Sequence, residues 1–175
     1  FNLARYHNIE IFITNSKGEK KSFFEEKTYM ASSSIIDILD IPMILGDSHS
    51  LDEPNTVIIS EKISQKYFGD TDPLGKGIKV NNQDEYVITG VYKKLPENTH
   101  LKSDLFFSFA TFLSRNPWLT NNWGYDLLHS YVKLKPGTDY KTFGKKAFPQ
   151  MISDNYANAL AINSERDEYY LQPIK

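Results

Sequence analysis

The chain has 175 residues, 40% of them hydrophobic and 24% charged, with a formal net charge of −2. That is apolar enough for a packed core, and too weakly charged to hold nucleic acid or an anionic membrane by bulk electrostatics. The absence of cysteine excludes disulfides, thiolate chemistry and cysteine-based zinc sites.

Residues Asn8 to Thr14 alternate, with Ile9, Ile11 and Ile13 on one side and Glu10, Phe12 and Thr14 on the other. This is the period of a half-buried strand. Turn chemistry follows at Asn15 to Gly18, and the Lys17 to Lys21 stretch reads as solvated. Ser22 to Met30 returns as the second strand of a hairpin. Ser32 to Ser34 offer caps for a short helix carrying Ile35, Ile36 and Leu39 and ending before Pro42. Gly46 to Asn55 reads as a polar loop.

Thr56 to Ile59 reads as a strand. Ser60 then serves as an N-cap, Glu61 places negative charge at the positive helix end, and Ile63 and Tyr67 share one face with Phe68 beside them. Gly69 closes that helix. Pro73 and Gly75 shape a rigid turn. Ile78 to Asn81 and Glu85 to Tyr92 form a second hairpin, with Gly90 marking a bulge or a close backbone approach. After a turn at Leu95 to Asn98 comes an aromatic strand from Leu105 to Phe109, then a short helix or loop through Trp118. Ser130 to Lys135 is the next expected strand. Thr138 is expected to cap a helix with Tyr140, Phe143 and Ala147 on one face, interrupted at Pro149 and resuming to about Leu160. A final strand is expected from Tyr169 to Ile174. The order is that of a mixed α+β fold with short helices and mainly antiparallel sheets.

Sites of chemistry are hard to find in this pattern. His7, His49, His100 and His129 lack metal-ligand spacing, and His100 sits in a polar turn. Ser60 follows a strand and opens a helix, but lacks the flanking glycines of a nucleophile elbow, and capping accounts for it. Gly75-Lys76-Gly77 lacks the remaining residues of a phosphate loop. The adjacent carboxylates Glu25-Glu26, Asp52-Glu53 and Asp167-Glu168 point apart on extended backbone and read as surface placements. Trp118 and Trp123 fall in a loop-like region, where each either folds over the core or anchors a partner. Leu105 to Leu113, the most apolar stretch, is about half the ~20 residues of a spanning helix. The chain opens on Phe1 with no signal peptide, and is expected to be a processed or excised piece.

One block carries a resemblance. Leu51 to Glu61 runs into Tyr67-Phe68-Gly69-Asp70, then Asp72-Pro73-Leu74-Gly75-Lys76, Tyr86 to Val91, and Leu95 to Leu101. In order and spacing this resembles the MacB-like periplasmic core domain of FtsX-like ABC-transporter permeases. The match is good over residues 40 to 110, with Ile41-Pro42 and Leu45-Gly46-Asp47 as lead-in, and looser from Trp123 through Tyr131 to Gly137.

The resemblance implies a domain lying between the first and second membrane helices of a permease. It implies two lobes, Porter-like (1–45 plus 125–175) and Sabre-like (46–124), with Gly46 to Asn55 and Asn116 to Gly124 as boundaries. Part of the Porter-like lobe is expected to lie outside the chain. ATP would be hydrolysed by separate cytoplasmic subunits, and the permease dimer would pass the motion to a periplasmic adaptor, lipoprotein or peptide. The expected role is non-catalytic, needs no cofactor, and belongs to the periplasmic side of the bacterial inner membrane. In this reading Pro54, Asn55, Ser60, Glu61, Tyr67, Phe68, Gly69, Pro73, Gly75, Gly90, Pro96, Asn98 and His100 are structural, and Trp118 and Trp123 are candidate partner contacts. The competing reading is an extracytoplasmic ligand-binding or sensor module, and an enzyme is the weakest of the three.

Overall fold

The computed structural model describes residues 2–6, 8–14, 18–96, 98–120, 128–156 and 171–173. The expected first hairpin exists, but it is longer and bent. Its strands divide into β1 (Asn2–Arg5) and β2 (Ile9–Thr14) on one arm, β3 (Lys20–Glu25) and β4 (Thr28–Ala31) on the other. Both halves keep one hairpin register: Leu3 faces Ala31, Ile9 faces Glu25, and the Tyr6 N–H bonds the Thr28 carbonyl at 3.0 Å between them. The strand expected from Ser22 to Met30 therefore breaks at Glu26-Lys27. Its reason is tertiary, since β2 turns to pair with β7 (Gly77–Val80) while β4 pairs with β9 (Leu105–Ser108).

The remaining strands complete the sheet, the last of them at its outer edge beside β1. They are β5 (Met43–Gly46), β6 (Thr56–Ser60), β8 (Asp84–Tyr92) and β10 (His129–Ser130). The order is β10-β1-β4-β9-β6-β8-β7-β2-β3, with β5 laid on β8. Only the β4–β9 and β6–β8 ladders are parallel among the described strands. The two-residue link between β3 and β4, which lie far apart in that order, requires the sheet to curl. The architecture is thus a mixed α+β fold built on a curled, mostly antiparallel sheet with a few short helices.

The centre of the sheet is buried on both faces. Val57 and Ile59 of β6, and Leu105 and Phe107 of β9, join one core with Ile9, Ile11, Ile13 and Ile88. Ile58 and Phe106, which point the other way, join a second core with Ile35, Ile36, Leu51 and Tyr92. A strand covered on both sides needs no polar alternation, which is why these segments read as continuous apolar runs. Helix α2 (Glu61–Phe68) drops Ile63 and Tyr67 into the first core. Helix α1 (Ser34–Ile38) places Ile35 and Ile36 in the second. Helix α3 (Phe109–Arg115) follows β9 directly, with Ser108 accepting from the Thr111 N–H as its cap.

Several expectations change. The segment from Gly46 to Asn55 is not a plain loop: Gly46 ends β5, and Ser48–Asp52 form a 3₁₀ turn that buries Leu51. Ser33 does not cap α1 with its side chain; its hydroxyl donates instead to Asp52 Oδ2 at 2.8 Å. Of the strand expected from Ser130 to Lys135, only Ser130 lies in a described strand: β10 is His129–Ser130, paired with Leu3 and Asn2 of β1. Helix α4 (Tyr140–Tyr156) is capped by Asp139, not Thr138, through the Thr142 N–H at 3.0 Å. It also runs through Pro149 without a break. Phe143, expected on its core face, is exposed, while Gly144 is buried against Phe148 and Leu171. Leu171–Pro173 form no strand, and the rest of the Tyr169 to Ile174 expectation lies outside the described residues, as does the stretch from 157 to Leu160.

Candidate functional site

The motif residues converge around β6 and α2 as structural parts. Ser60 is fully buried, and its hydroxyl accepts from the Ile63 N–H at 3.3 Å. Glu61 turns outward and accepts from the Lys94 N–H at 3.0 Å, tying the helix start to the chain leaving β8. Gly69 (φ 59°) and Gly75 (φ 75°) hold left-handed backbone. The Gly75 N–H also bonds the Ile88 carbonyl at 2.8 Å, docking the Pro73 turn onto β8. Phe68 lies under the Lys76 ammonium at 4.5 Å. Asn55, following Pro54, takes φ 61° and donates its N–H to Thr111 Oγ1 at 2.6 Å.

Gly90 has two jobs. It sits at the register shift of the β6–β8 ladder, and a Cβ there would lie 2.7 Å from Met43 Cε. The sequence reading missed a tighter glycine at Gly46, whose Cβ would lie 2.0 Å from the Thr89 carbonyl oxygen.

Charged groups that the motif reading passed over make the long-range ties. Glu25, read as a surface residue, is buried. Its Oε1 accepts from Lys66 Nζ at 2.5 Å and from the Tyr67 hydroxyl at 2.8 Å. Tyr67 stacks on Phe23 at 4.5 Å, and the Lys66 ammonium lies 5.0 Å from that ring. Burial, then the Glu25 charge, pushes the Tyr67 phenol well above its ordinary value. One turn earlier, Lys62 pairs with Asp104 at 3.1 Å. Lys62 and Lys66 thus stand at i and i+4 on α2 and reach two carboxylates near the β3–β4 link, where the Asp104 N–H also bonds the Lys27 carbonyl at 2.7 Å; that spacing was the one signal available in the sequence. Arg115 closes α3 onto Asp84 at 2.7 Å and lies over the Tyr86 ring at 5.6 Å. Burial pushes Tyr86 up to about 12, against the opposing pull of Arg115.

A second region lies at the β10 edge of the sheet. A groove of about 910 Å³ runs beside residues 128–134, walled also by Ile38, His100, Tyr140 and Leu171–Pro173. His100 leaves the Pro96 turn to reach this wall, its Nε2 lying 3.0 Å from the Tyr131 hydroxyl. Asn98 is exposed in the same turn. Trp118 is 49% exposed on a 3₁₀ turn after α3. Trp123 lies outside the described residues, as do His7 and Asp167-Glu168. Among the described residues no group of three or more His, Asp or Glu is placed to hold a metal ion, and no helix is long and apolar enough to cross a membrane.

The sequence pattern of the MacB-like periplasmic core domain matches residues 6–147. No curated protein matches the chain. Among solved structures, a domain ascribed to a permease protein of Porphyromonas gingivalis superposes with a TM-score of 0.70 at 24% identity, covering 88% of this chain and 68% of that one. The periplasmic region of MacB from Actinobacillus actinomycetemcomitans gives a TM-score of 0.60 at 16% identity, over 89% and 67% of the two chains. The extracellular domain of the noncanonic ABC-type transporter YknZ from Gram-positive bacteria gives 0.55 at 18%, over 87% and 74%. These likenesses are of fold, and they agree with a pattern that spans most of the sequence. The chain belongs to the family of MacB-like periplasmic core domains.

Proposed function

We propose that this chain is the extracytoplasmic domain of an ABC-transporter permease, and that it carries ATP-driven movement to partner proteins without chemistry of its own. The family match over residues 6–147 carries the reading. The physical support is stiffness: one curled sheet joins nearly every element, and Lys66–Glu25, Lys62–Asp104 and Arg115–Asp84 tie its helices across long sequence separations. In this proposal the parent protein sits in the bacterial inner membrane with this domain on the periplasmic side. It works with a second permease subunit, a cytoplasmic ATPase and a periplasmic adaptor, lipoprotein or peptide, and takes no cofactor. The Porter-like (1–45 plus 125–175) and Sabre-like (46–124) division belongs to the proposal too. The β1–β10 pairing, which joins the two ends of the proposed Porter-like lobe, supports it.

The test is a distance measurement in the full-length permease with its ATPase, in membranes. Spin labels at position 93 of both subunits, an exposed site at the end of β8, should change separation between the nucleotide-free and ATP-trapped states. An unchanged separation while ATP turns over would defeat the proposal. The groove beside β10 favours a second reading, a ligand sensor. A saturable thermal shift of this chain with a small metabolite, with no ATP-linked movement in the permease, would select it.

A further inference from the structure

Strand β3 ends the sheet order, and among the described strands it pairs only with β2. No backbone hydrogen bond runs from its outer side to another described residue. Phe24 on this strand is 75% exposed, more than any other large hydrophobic side chain described. Lys20, Lys21, Ser22 and the following Glu26 are exposed as well. Among the described residues, neither the two lysines nor Glu26 takes part in a side-chain hydrogen bond or ion pair. An open edge strand with an exposed aromatic ring is a template for a further strand, and lysines placed on such an edge ordinarily keep other strands away. Here acids stand at the other end of the same strand, and they change that outcome for one partner.

That partner is a second copy of the chain. The stretch Lys20-Lys21-Ser22-Phe23-Phe24-Glu25-Glu26 is complementary in charge to its own reverse. An antiparallel pair of two copies centred on Phe23 sets Lys20 against Glu26 of the second copy, Lys21 against Glu25, and Ser22 against Phe24, each twice. Directly opposite residues of an antiparallel pair share a face, and like charges there are destabilising; in this register none meet. On the outer face, the Phe24 ring of one copy covers the small Ser22 of the other and approaches Phe12, which stands opposite Ser22 on β2. On the inner face, Glu25 keeps its Lys66 and Tyr67 bonds through Oε1, leaving its other oxygen for Lys21. We infer that β3 is a self-association edge, through which two copies of this chain join their sheets. A ladder of six residues buries less than a standard interface, so the pair is weak and concentration-dependent. The inference goes beyond the transport reading and does not rest on it: self-association can fail while ATP-linked movement stands, and the reverse.

The test is sedimentation of this chain over a concentration series. A monomer–dimer equilibrium is expected, with a dissociation constant between about 1 μM and about 1 mM, and amide exchange at residues 20–25 should slow as the dimer fills. Lys20→Glu sets acid against acid, Glu26→Lys sets base against base, and each should weaken the dimer at least about tenfold. The double variant, carrying both changes, restores the opposite-sign pairs and should dimerise like the parent. An equimolar mixture of the two single variants should form a mixed dimer where neither variant pairs with itself. Both positions are exposed, so every variant should keep the parent's circular dichroism and thermal midpoint. A chain that stays monomeric up to about 1 mM would overturn the inference. So would a dimer indifferent to Lys20→Glu, or single-variant losses that the double variant and the mixture fail to restore.

Discussion

The β6–α2–β7–β8 block and the stretch from β10 through α4 follow the same local rules with different outcomes. Both contain a strand signal, a polar cap, a helix and a glycine. In the first, every signal meets a partner: β6 is paired on both sides, Ser60 is buried at its cap, and Tyr67 reaches Glu25. In the second, the strand signal is filled for two residues only, the cap at Asp139 is exposed, and Phe143 faces solvent. Local propensity proposes an element, and packing on the opposite side decides whether it is completed.

The sharpest way to break this comparison is to truncate a matched pair of phenylalanines. Phe107 is fully buried between Tyr6 and Tyr86 rings, whereas Phe143 is 41% exposed. Phe107→Ala should cost about 3–5 kcal/mol in urea unfolding followed by circular dichroism. Phe143→Ala should cost under about 1 kcal/mol. Similar losses would mean that α4 packs as tightly as the central sheet.

Glycines sharpen the same contrast at smaller scale. Gly46 has φ 76°, and its Cβ would collide with the Thr89 carbonyl oxygen, part of the rigid β5–β8 ladder. Gly69 has φ 59° with nothing within 4 Å of its would-be Cβ. Gly46→Ala should therefore cost about 2–3 kcal/mol, and Gly69→Ala only the backbone strain of about 1 kcal/mol. The smallest effect is at the caps. Ser60→Ala should lose about 1 kcal/mol, whereas Asp139→Ala should only loosen the first turn of α4 in hydrogen exchange. A Ser60→Ala protein that kept full stability but lost transport in the full permease would give Ser60 a role beyond capping.

Much of the central block was legible from sequence because its signals are local. Ser60, Gly69 and the Asn81-Asn82 turn act within a few residues of themselves, and both asparagines take the left-handed backbone a tight hairpin needs. Gly90 was legible as a close approach, though not what approached it. Glu25 was misread because adjacent carboxylates on a strand say nothing about a lysine 41 positions away. The 3₁₀ turn at Ser48–Asp52 was taken for loop because its one buried side chain, Leu51, has no periodic companions.

By itself, the sequence determined the strand and helix types of the middle of the chain, the capping and turn residues, and the family. Those depend on backbone preferences and short-range hydrogen bonds, which travel with the residues. Only the tertiary structure decided that the first hairpin bends at Glu26-Lys27, that β6 and β9 are covered on both faces, and that Leu51 is buried by a 3₁₀ turn. Each of these turns on which distant segment occupies the neighbouring place in the sheet, and edge pairing and burial are properties of that neighbour as much as of the segment itself.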